Sequence, residues 1–284
     1  MKSVVVTGVS TGIGWGALKV LTQAGFHVFG SVRKQADAER LKQEFGDSFT
    51  PLLFDVTDAA AVKRGAELVR AALKGETLFG LVNNAGVAVS GPLLELDIDE
   101  FRKQIEINLT GQLIAIQAFA PLLGADTSLK GAPGRIVNIT STAGRQGAPF
   151  LGPYAASKHA MEGLSESLRR ELLLFGIDVV MIGPGKVATP IWDKAEQIDT
   201  TPYKASPFLP MMERFQNYMV THGRSEGFPP ERLGRDVLKA LTVKSPKTRY
   251  AVVPGRLMNW TIPGLLPKRF VDRKIARGLG LLKS

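Results

Sequence analysis

Short apolar segments alternate along the chain with longer segments in which apolar residues recur every three or four positions. The short segments are rich in Val, Ile, Leu and Phe and are apolar on both faces, as is typical of strands buried between two helix layers. They predict strands at 3–7, 27–32, 51–55, 78–83, 134–140, 177–182 and 248–253. The longer segments predict helices near 13–24, 36–45, 58–73, 99–123, 154–174 and 232–243.

This alternation predicts the fold class, because strands that alternate with helices join through right-handed crossovers into a parallel sheet. We expect an α/β protein with a three-layer, doubly wound Rossmann fold and a seven-stranded parallel sheet. Residues 190–231 break the rhythm with six prolines and an apolar piece in the middle, and we interpret them as a small lid excursion. The expected organisation is one catalytic domain over residues 1–255, followed by a C-terminal extension, 256–284.

The net charge of +10 is carried almost entirely by the end of the chain. From Lys244 onward there are ten Lys or Arg residues and one acid, Asp272, whereas the rest of the chain is nearly neutral. A uniform surface for nucleic acid is therefore a poor explanation of the charge. The extension is basic and amphipathic, so it could pack on the lid, pack on a partner subunit, or lie on an anionic membrane surface.

The chain has no cysteine, which excludes disulfides, thiolate nucleophiles and Cys-ligated zinc. Its three histidines lack metal-ligand spacing, and we expect no metal site. The apolar run at the N-terminus is too short for a signal peptide, and no 18 uncharged apolar residues follow one another. We therefore expect a cytoplasmic protein, with surface contact to a membrane only through the extension.

Tyr154 and Lys158 are the most informative pair of polar residues. In the predicted helix they share one face, with Cβ atoms about 5–6 Å apart. A free phenol has a pKa near ~10, and a nearby cation favours its ionised form, so we expect Lys158 to lower the pKa of Tyr154. A tyrosine tuned in this way can exchange a proton with an alcohol oxygen. The same spacing also occurs by chance on surface helices.

The segment Thr7 to Gly14, T-G-V-S-T-G-I-G, joins the first strand to the first helix. Its glycines let the backbone approach a pyrophosphate, and the helix N-terminus presents free N–H groups. After the second strand the chain reads Val32-Arg33-Lys34. An acid at this place would hold the ribose 2′-hydroxyl of NAD, whereas Arg suits the 2′-phosphate of NADP. The sequence therefore favours NADP(H), with NAD(H) as the alternative.

Other polar residues follow the carboxyl ends of later strands, which is the edge where open α/β sheets bind ligands. Asp55 follows the third strand, although it could also be the cap of the helix 58–73. The segment N-N-A-G at 83–86 follows the fourth strand, Ser141 the fifth, and P-G-K-V-A-T-P at 184–190 the sixth. Asn108 lies inside the apolar fourth helix.

In this order and spacing, these motifs resemble those of the short-chain dehydrogenase/reductase family. The resemblance covers roughly residues 3–190 and implies a catalytic tetrad of Asn108, Ser141, Tyr154 and Lys158. It implies that Tyr154 exchanges a proton with the substrate oxygen, that Lys158 lowers the tyrosine pKa and holds the nicotinamide ribose, and that Ser141 hydrogen-bonds the substrate oxygen. Asn108 is implied to position a water that links Lys158 to solvent.

The resemblance also implies the cofactor contacts. They are Gly8, Ser10, Thr11, Gly12, Ile13, Gly14, Arg33, Lys34, Asp55, Val56, Asn84, Ala85, Gly86, Tyr154, Lys158, Pro184, Gly185, Val187 and Thr189. One departure is Gly183, where many relatives have Asn or Glu, and we expect it to leave the chemistry untouched. Lys186 has no evident role.

The segments expected to line the substrate pocket are mainly apolar. The candidates are Val87, Val89, Phe150, Leu151, Trp192, Met211 and Phe215. Among family members the chain most resembles retinol and 17β-hydroxysteroid dehydrogenases, which implies a hydrophobic ketone or secondary alcohol of steroid, retinoid or lipid type.

The predicted helices 99–123 and 154–174 have apolar faces beyond what the sheet covers, and in the family they pair across a two-fold axis. We therefore expect a homodimer or homotetramer.

Two other functions stay open: a non-catalytic dinucleotide-sensing protein, and an epimerase or dehydratase of the same family. The presence of both Tyr154 and Lys158 disfavours the first. The pocket segments carry no additional Asp, Glu or His, which disfavours the second.

Overall fold

The computed structural model describes residues 2–190, 196 and 199–282. Within them, seven parallel strands form one sheet in the order β3-β2-β1-β4-β5-β6-β7. The strands are β1 Ser3–Val6, β2 His27–Val32, β3 Phe49–Leu53, β4 Gly80–Asn83, β5 Arg135–Ile139, β6 Asp178–Pro184 and β7 Arg249–Val252. The chain order reverses between β1 and β4, so the doubly wound α/β fold is confirmed.

The helices flank this sheet on both faces. They are α1 Gly12–Gln23, α2 Gln35–Phe45, α3 Ala59–Leu73, α4 Ile98–Ile105, α5 Gly111–Phe119, α6 Gly152–Glu171, α7 Leu209–Glu226, α8 Pro230–Thr242, α9 Ile262–Leu265 and α10 Lys268–Leu279. In β1, Val4 and Val6 contribute to the apolar core on one face, and Val5 contributes to the core on the other. All three are fully buried, which explains why the strand is apolar at every position.

The predicted helix 99–123 is not one regular helix. A π-helical turn, Glu106–Thr110, joins α4 to α5, and a 3₁₀ turn extends the end to Leu123. Such turns widen the helix locally and occur frequently at functional sites. Asn108 is in this turn and is fully buried.

Helices α1 and α8 cross at unusually close range on one face of the sheet. A Cβ added at Gly16 would overlap Pro230, and one added at Gly234 would overlap the carbonyl of Gly16. Only glycine allows this approach, because both contacts are with backbone atoms. The crossing anchors α1, whose N-terminus adjoins the glycine-rich loop.

The lid excursion contains α7, which packs in a small apolar cluster of its own. Phe150 from the body is at the centre of this cluster, with Met212 and Phe215 of α7. Leu279 and Leu281 of the extension also pack there. The end of the extension therefore contacts the lid, which was one of its three expected places. No helix in the described part of the chain is long and apolar enough to cross a membrane.

We predict that Gly234→Ala lowers the free energy of unfolding by roughly 1–3 kcal/mol, because the new methyl group would overpack the crossing with α1. Chemical denaturation measures this directly. Gly278→Ala in α10 is the matched control, since an added Cβ there meets nothing within 4 Å. Its stability should stay unchanged or rise by up to ~1 kcal/mol. Equal stabilities for the two variants would contradict the packing argument.

Candidate active site

Tyr154 and Lys158 lie in the first turns of α6, where the helix passes the carboxyl end of β5. The Lys158 ammonium donates a hydrogen bond to the Ile139 carbonyl over 2.9 Å. It lies 5.8 Å from the centroid of the Tyr154 ring. Burial lowers the pKa of Lys158 to about 8, and the negative charge of Glu162 opposes that shift.

The pKa of Tyr154 is not lowered in the structure, which corrects the expectation from the sequence. Burial raises it above the ordinary value of a phenol, and a side-chain hydrogen bond with Ser141 opposes this only in part. The physical reason is that the Lys158 ammonium bonds the Ile139 carbonyl, while the Tyr154 side chain is largely but not fully withdrawn from water. At neutral pH Tyr154 therefore keeps its proton.

The other two predicted catalytic residues hold the backbone around this pair. Ser141 is buried, and its hydroxyl accepts a hydrogen bond from the Ala143 amide over 3.1 Å. The Asn108 amide oxygen accepts from the Val87 N–H, and its nitrogen donates to the Val87 carbonyl, each over 2.9 Å. The same nitrogen donates to the Ser157 hydroxyl over 3.3 Å. Asn108 thus joins the loop after β4 to α6, and its implied role with a water stays a prediction.

The glycine-rich loop forms a cradle at the N-terminus of α1. Gly8 and Gly12 have positive φ angles of 72° and 62°. A Cβ at Gly14 would overlap the Gly8 carbonyl, and one at Gly12 would come within 3.3 Å of Thr189. Helix α1 has no side-chain cap and no acid in its first turn. The cradle therefore fits a bound diphosphate, which would approach the free N–H groups without charge repulsion.

Side chains tie this cradle to the neighbouring strands. The Thr7 hydroxyl accepts from the amides of Asn84 and Ala85, and the Asn84 side chain donates to the carbonyls of Thr7 and Gly8. The Gly8 amide donates to the Ser31 hydroxyl over 2.9 Å. The predicted residues at the ends of β1 and β4 are therefore brought together.

The end of the site that is predicted to bind the adenosine of the cofactor is polar and exposed. Arg33 lies 3.6 Å from Asp55, and Lys34 precedes the first residue of α2. Burial acts to raise the pKa of Asp55, but hydrogen bonds from Thr57, together with Arg33, hold it below the ordinary value. Asp55 is not the cap of α3, because Asp58 accepts the capping hydrogen bond from Ala61.

The loop after β6 closes the cofactor side of the site. Gly185 donates to the Val252 carbonyl, and Val187 is buried and pairs with Phe228. Lys186, which the sequence left without a role, forms an ion pair with Glu226 over 2.7 Å. The loop is therefore joined to the end of the lid helix α7.

An apolar cavity of about 250 Å³ opens beside the N-terminus of α6. Its lining is Pro92, Leu93, Leu94, Ala148, Pro149, Phe150, Gly152, Phe208 and Leu281. Leu93 lies directly over Gly152, two residues before Tyr154, where a Cβ would come within 2.6 Å of it. Phe150 holds a positive φ of 63°, an uncommon conformation for such a side chain, and packs against Phe208 and Phe215.

The cavity includes only some of the residues predicted for the substrate pocket. Phe150 lines the cavity, whereas Leu151, Met211 and Phe215 belong to the apolar cluster beneath it. Val87 and Val89 are not among the lining residues, and their backbones are held by Asn108 and Gln104. Trp192 lies outside the described residues. Leu93, Leu94 and Leu281 were missed because isolated leucines in a loop or tail give no pattern.

Four other residues at the site were also missed by sequence reasoning. Buried Gln104 bonds the backbones of Val87 and Val89 one turn before Asn108. Arg40 donates to the Ser10 carbonyl in the cradle. Glu162 and Arg249 form a buried ion pair behind the tetrad. Gln104 could have been found from the sequence, because it is a polar residue one helical turn before Asn108. The contacts of Arg40, Glu162 and Arg249 join distant parts of the chain and leave no local signal.

Comparison with known proteins agrees with this geometry. A sequence model of the family described as short chain dehydrogenase matches residues 2–199, which is more than half of the chain. The chain belongs to the short-chain dehydrogenase/reductase family. It is therefore an oxidoreductase that acts on a carbonyl or CH–OH group.

Members of this family resemble the chain over nearly its whole length. An NADPH-dependent 3-dehydrocapnine reductase from Ornithobacterium rhinotracheale is 38% identical over 96% of this chain and 95% of that protein. Human retinol dehydrogenase 5 is 32% identical over 95% of this chain and 86% of that protein. A short chain dehydrogenase from Burkholderia cenocepacia, solved in complex with NADP, covers 97% of this chain and 99% of its own with a TM-score of 0.71 and 23% identity.

We predict that Lys158 loses its proton near pH 8, since burial disfavours its charge. Selective ¹³Cε labelling of lysine and NMR titration would show one resonance with this midpoint. The resonance should disappear in Lys158→Met, which assigns it. A Lys158 resonance that titrates only near the ordinary lysine value of about 10.4 would contradict the burial argument.

Proposed function

We propose that the protein is an NADP(H)-dependent reductase of a long, apolar ketone, or in reverse a dehydrogenase of the secondary alcohol. The observation that carries this proposal is the apolar cavity beside the N-terminus of α6, which is lined by Leu93, Phe150 and the lid residue Phe208. A polar or charged substrate would find no partner in its lining. We assign the chemistry to the predicted tetrad, whose Tyr154 follows the lining residue Gly152 by two positions.

The cofactor is NADP(H). Arg33 and Lys34 at the end of β2 are the cations that would hold the 2′-phosphate, with Arg40 near the cradle. The cradle of Gly8, Gly12 and Gly14 would hold the diphosphate. The name of the 38% identical relative, which describes an NADPH-dependent enzyme, supports the same choice.

When bound in the cradle, NADPH would supply the hydride for the carbonyl carbon. The substrate oxygen then needs a proton, and Tyr154 holds one at neutral pH because burial raises its pKa. The Ser141 hydroxyl, bonded to the phenol, stabilises the negative charge that develops on that oxygen. After the transfer, the positive charge of the Lys158 ammonium, 5.8 Å from the ring centroid, would favour the tyrosinate.

Contacts between the lid and the loop after β4 support a lid that covers the substrate. Tyr203 of the lid packs on Gly91, and the Ser206 hydroxyl donates to Glu95 over 2.9 Å. Phe208 and Leu281 line the cavity together with Leu93 and Leu94. Leu94 is 86% exposed, which is a large apolar surface at the rim of a site.

The names of both reported relatives, a 3-dehydrocapnine reductase and a retinol dehydrogenase, are compatible with substrates of this class.

We predict that Tyr154→Phe abolishes turnover of long-chain ketones while NADPH still binds, because the variant keeps the ring and loses the proton. Turnover is followed by the absorbance of reduced nicotinamide, and binding by its fluorescence. The wild type should consume NADPH in preference to NADH and prefer apolar ketones to short polar ones. Unchanged turnover in Tyr154→Phe would contradict the assignment.

We also propose that the protein is a homodimer or homotetramer that pairs through α5 and α6. Leu113 and Ile114 on α5 and Leu164 and Leu168 on α6 are only partly buried. Gel filtration with light scattering should give a mass of at least twice 30.7 kDa. Leu164→Glu should shift the protein toward the monomer because it places a charge in the contact, whereas a wild type that is monomeric would overturn the proposal.

A further inference from the structure

A buried pair of charges lies directly behind the tetrad. Glu162 follows Lys158 by one turn of α6, so Tyr154, Lys158 and Glu162 share a face of the helix. The Glu162 side chain is 8% exposed and the Arg249 side chain 12%. The Arg249 Nε donates to both carboxylate oxygens, over 3.0 and 2.8 Å. Burying two charges is costly, so a pair kept in this place calls for an explanation.

The pair holds the end of β5, on which the tetrad depends. Three successive residues there are each bonded to one charged side chain. The Ile139 carbonyl accepts from Lys158 over 2.9 Å. The Thr140 hydroxyl donates to Glu162 over 2.7 Å, and the Ser141 carbonyl accepts from Arg249 over 3.3 Å.

Gly183, the departure from the family noted in the sequence, makes room for this arrangement. A Cβ at Gly183 would overlap the Arg249 guanidinium. The side chain that many relatives have at this position would therefore displace Arg249. On its other side, the Arg249 guanidinium lies 5.0 Å from the ring of Trp260 in the C-terminal extension.

We propose that Glu162 and Arg249 form a positioning pair, which holds residues 139–141 so that Lys158 and Ser141 are presented to Tyr154. The proposal rests on the proposed catalytic role of the tetrad. The pair touches neither the phenol nor the cavity, so it acts through Lys158 and Ser141 rather than on the substrate.

The same geometry gives Glu162 an electrostatic role. The charged and titratable groups around Lys158 are Tyr154 and Glu162 on α6, Arg145 from the loop after β5, and Arg249 from β7. Burial lowers the pKa of Lys158 to about 8, and the Glu162 charge raises it. Without that charge, Lys158 would lose its proton at a lower pH. Activity that needs the ammonium would then fall at a lower pH as well.

Glu162→Gln tests this pair, since glutamine keeps the shape and removes the charge. The expected result is a kcat lower by roughly 10- to 100-fold, as for small displacements of a reacting group. The alkaline limb of the pH profile should also move to lower pH. Glu166→Gln is the matched control one turn further along α6, where the carboxylate is 44% exposed and faces Arg170. It should leave both quantities unchanged.

The Lys158 titration measured by NMR gives a reading that does not depend on turnover. Its midpoint should fall in Glu162→Gln and stay in place in Glu166→Gln. Wild-type turnover and its loss in Tyr154→Phe test the proposed function separately. A Glu162→Gln protein with the wild-type kcat, pH profile and Lys158 midpoint would overturn the positioning pair even if the proposed function held.

Gly183→Ala keeps every charge and removes only the space that the Arg249 guanidinium occupies. It therefore tests the positioning role of the pair even if Glu162→Gln does not fold. It should lower kcat by about tenfold or more while NADPH binding persists. Gly278→Ala is its control, because its added methyl meets nothing within 4 Å. Equal kcat values in Gly183→Ala and Gly278→Ala would contradict the proposal.

Discussion

The buried ammonium of Lys158 is the constraint on which the rest of the site depends. An unpaired cation removed from water is very costly, so it must be bonded or lose its charge. Here it is bonded to the Ile139 carbonyl and lies one turn from the Glu162 carboxylate. That bond joins α6 to the end of β5, and it thereby sets where Tyr154 lies relative to Ser141.

The parallel sheet positions the residues of the cofactor side in the same way. All seven strands end at one edge, so residues far apart in sequence meet there. Thr7 bonds the backbone of Asn84 and Ala85, and Gly12 faces Thr189 across the cradle. A doubly wound fold therefore brings these residues to one binding edge, and the glycines allow the protein backbone to approach a ligand closely there.

Much of this could be predicted from the sequence, and the limits have physical reasons. The strands are apolar on both faces and the helices are periodic, so the fold and most boundaries followed from local pattern. The proposed tetrad was predicted from local spacing and resemblance. The π turn at Asn108, the approach of Arg249 to Glu162 across 87 positions, and the space left by Gly183 are tertiary packing facts without a local signal. The direction of the Tyr154 pKa also depends on burial, which composition does not reveal.

The central claim is that α6, held by Lys158, presents the Tyr154 hydroxyl to a ketone at the carboxyl edge of the sheet. A crystal structure with NADP⁺ and a long-chain secondary alcohol tests it most directly. The account predicts the Tyr154 oxygen about 2.6–3.2 Å from the alcohol oxygen, with Lys158 still enclosed between α6 and β5. An alcohol bound with its oxygen out of reach of Tyr154, and with Lys158 turned to solvent, would contradict it.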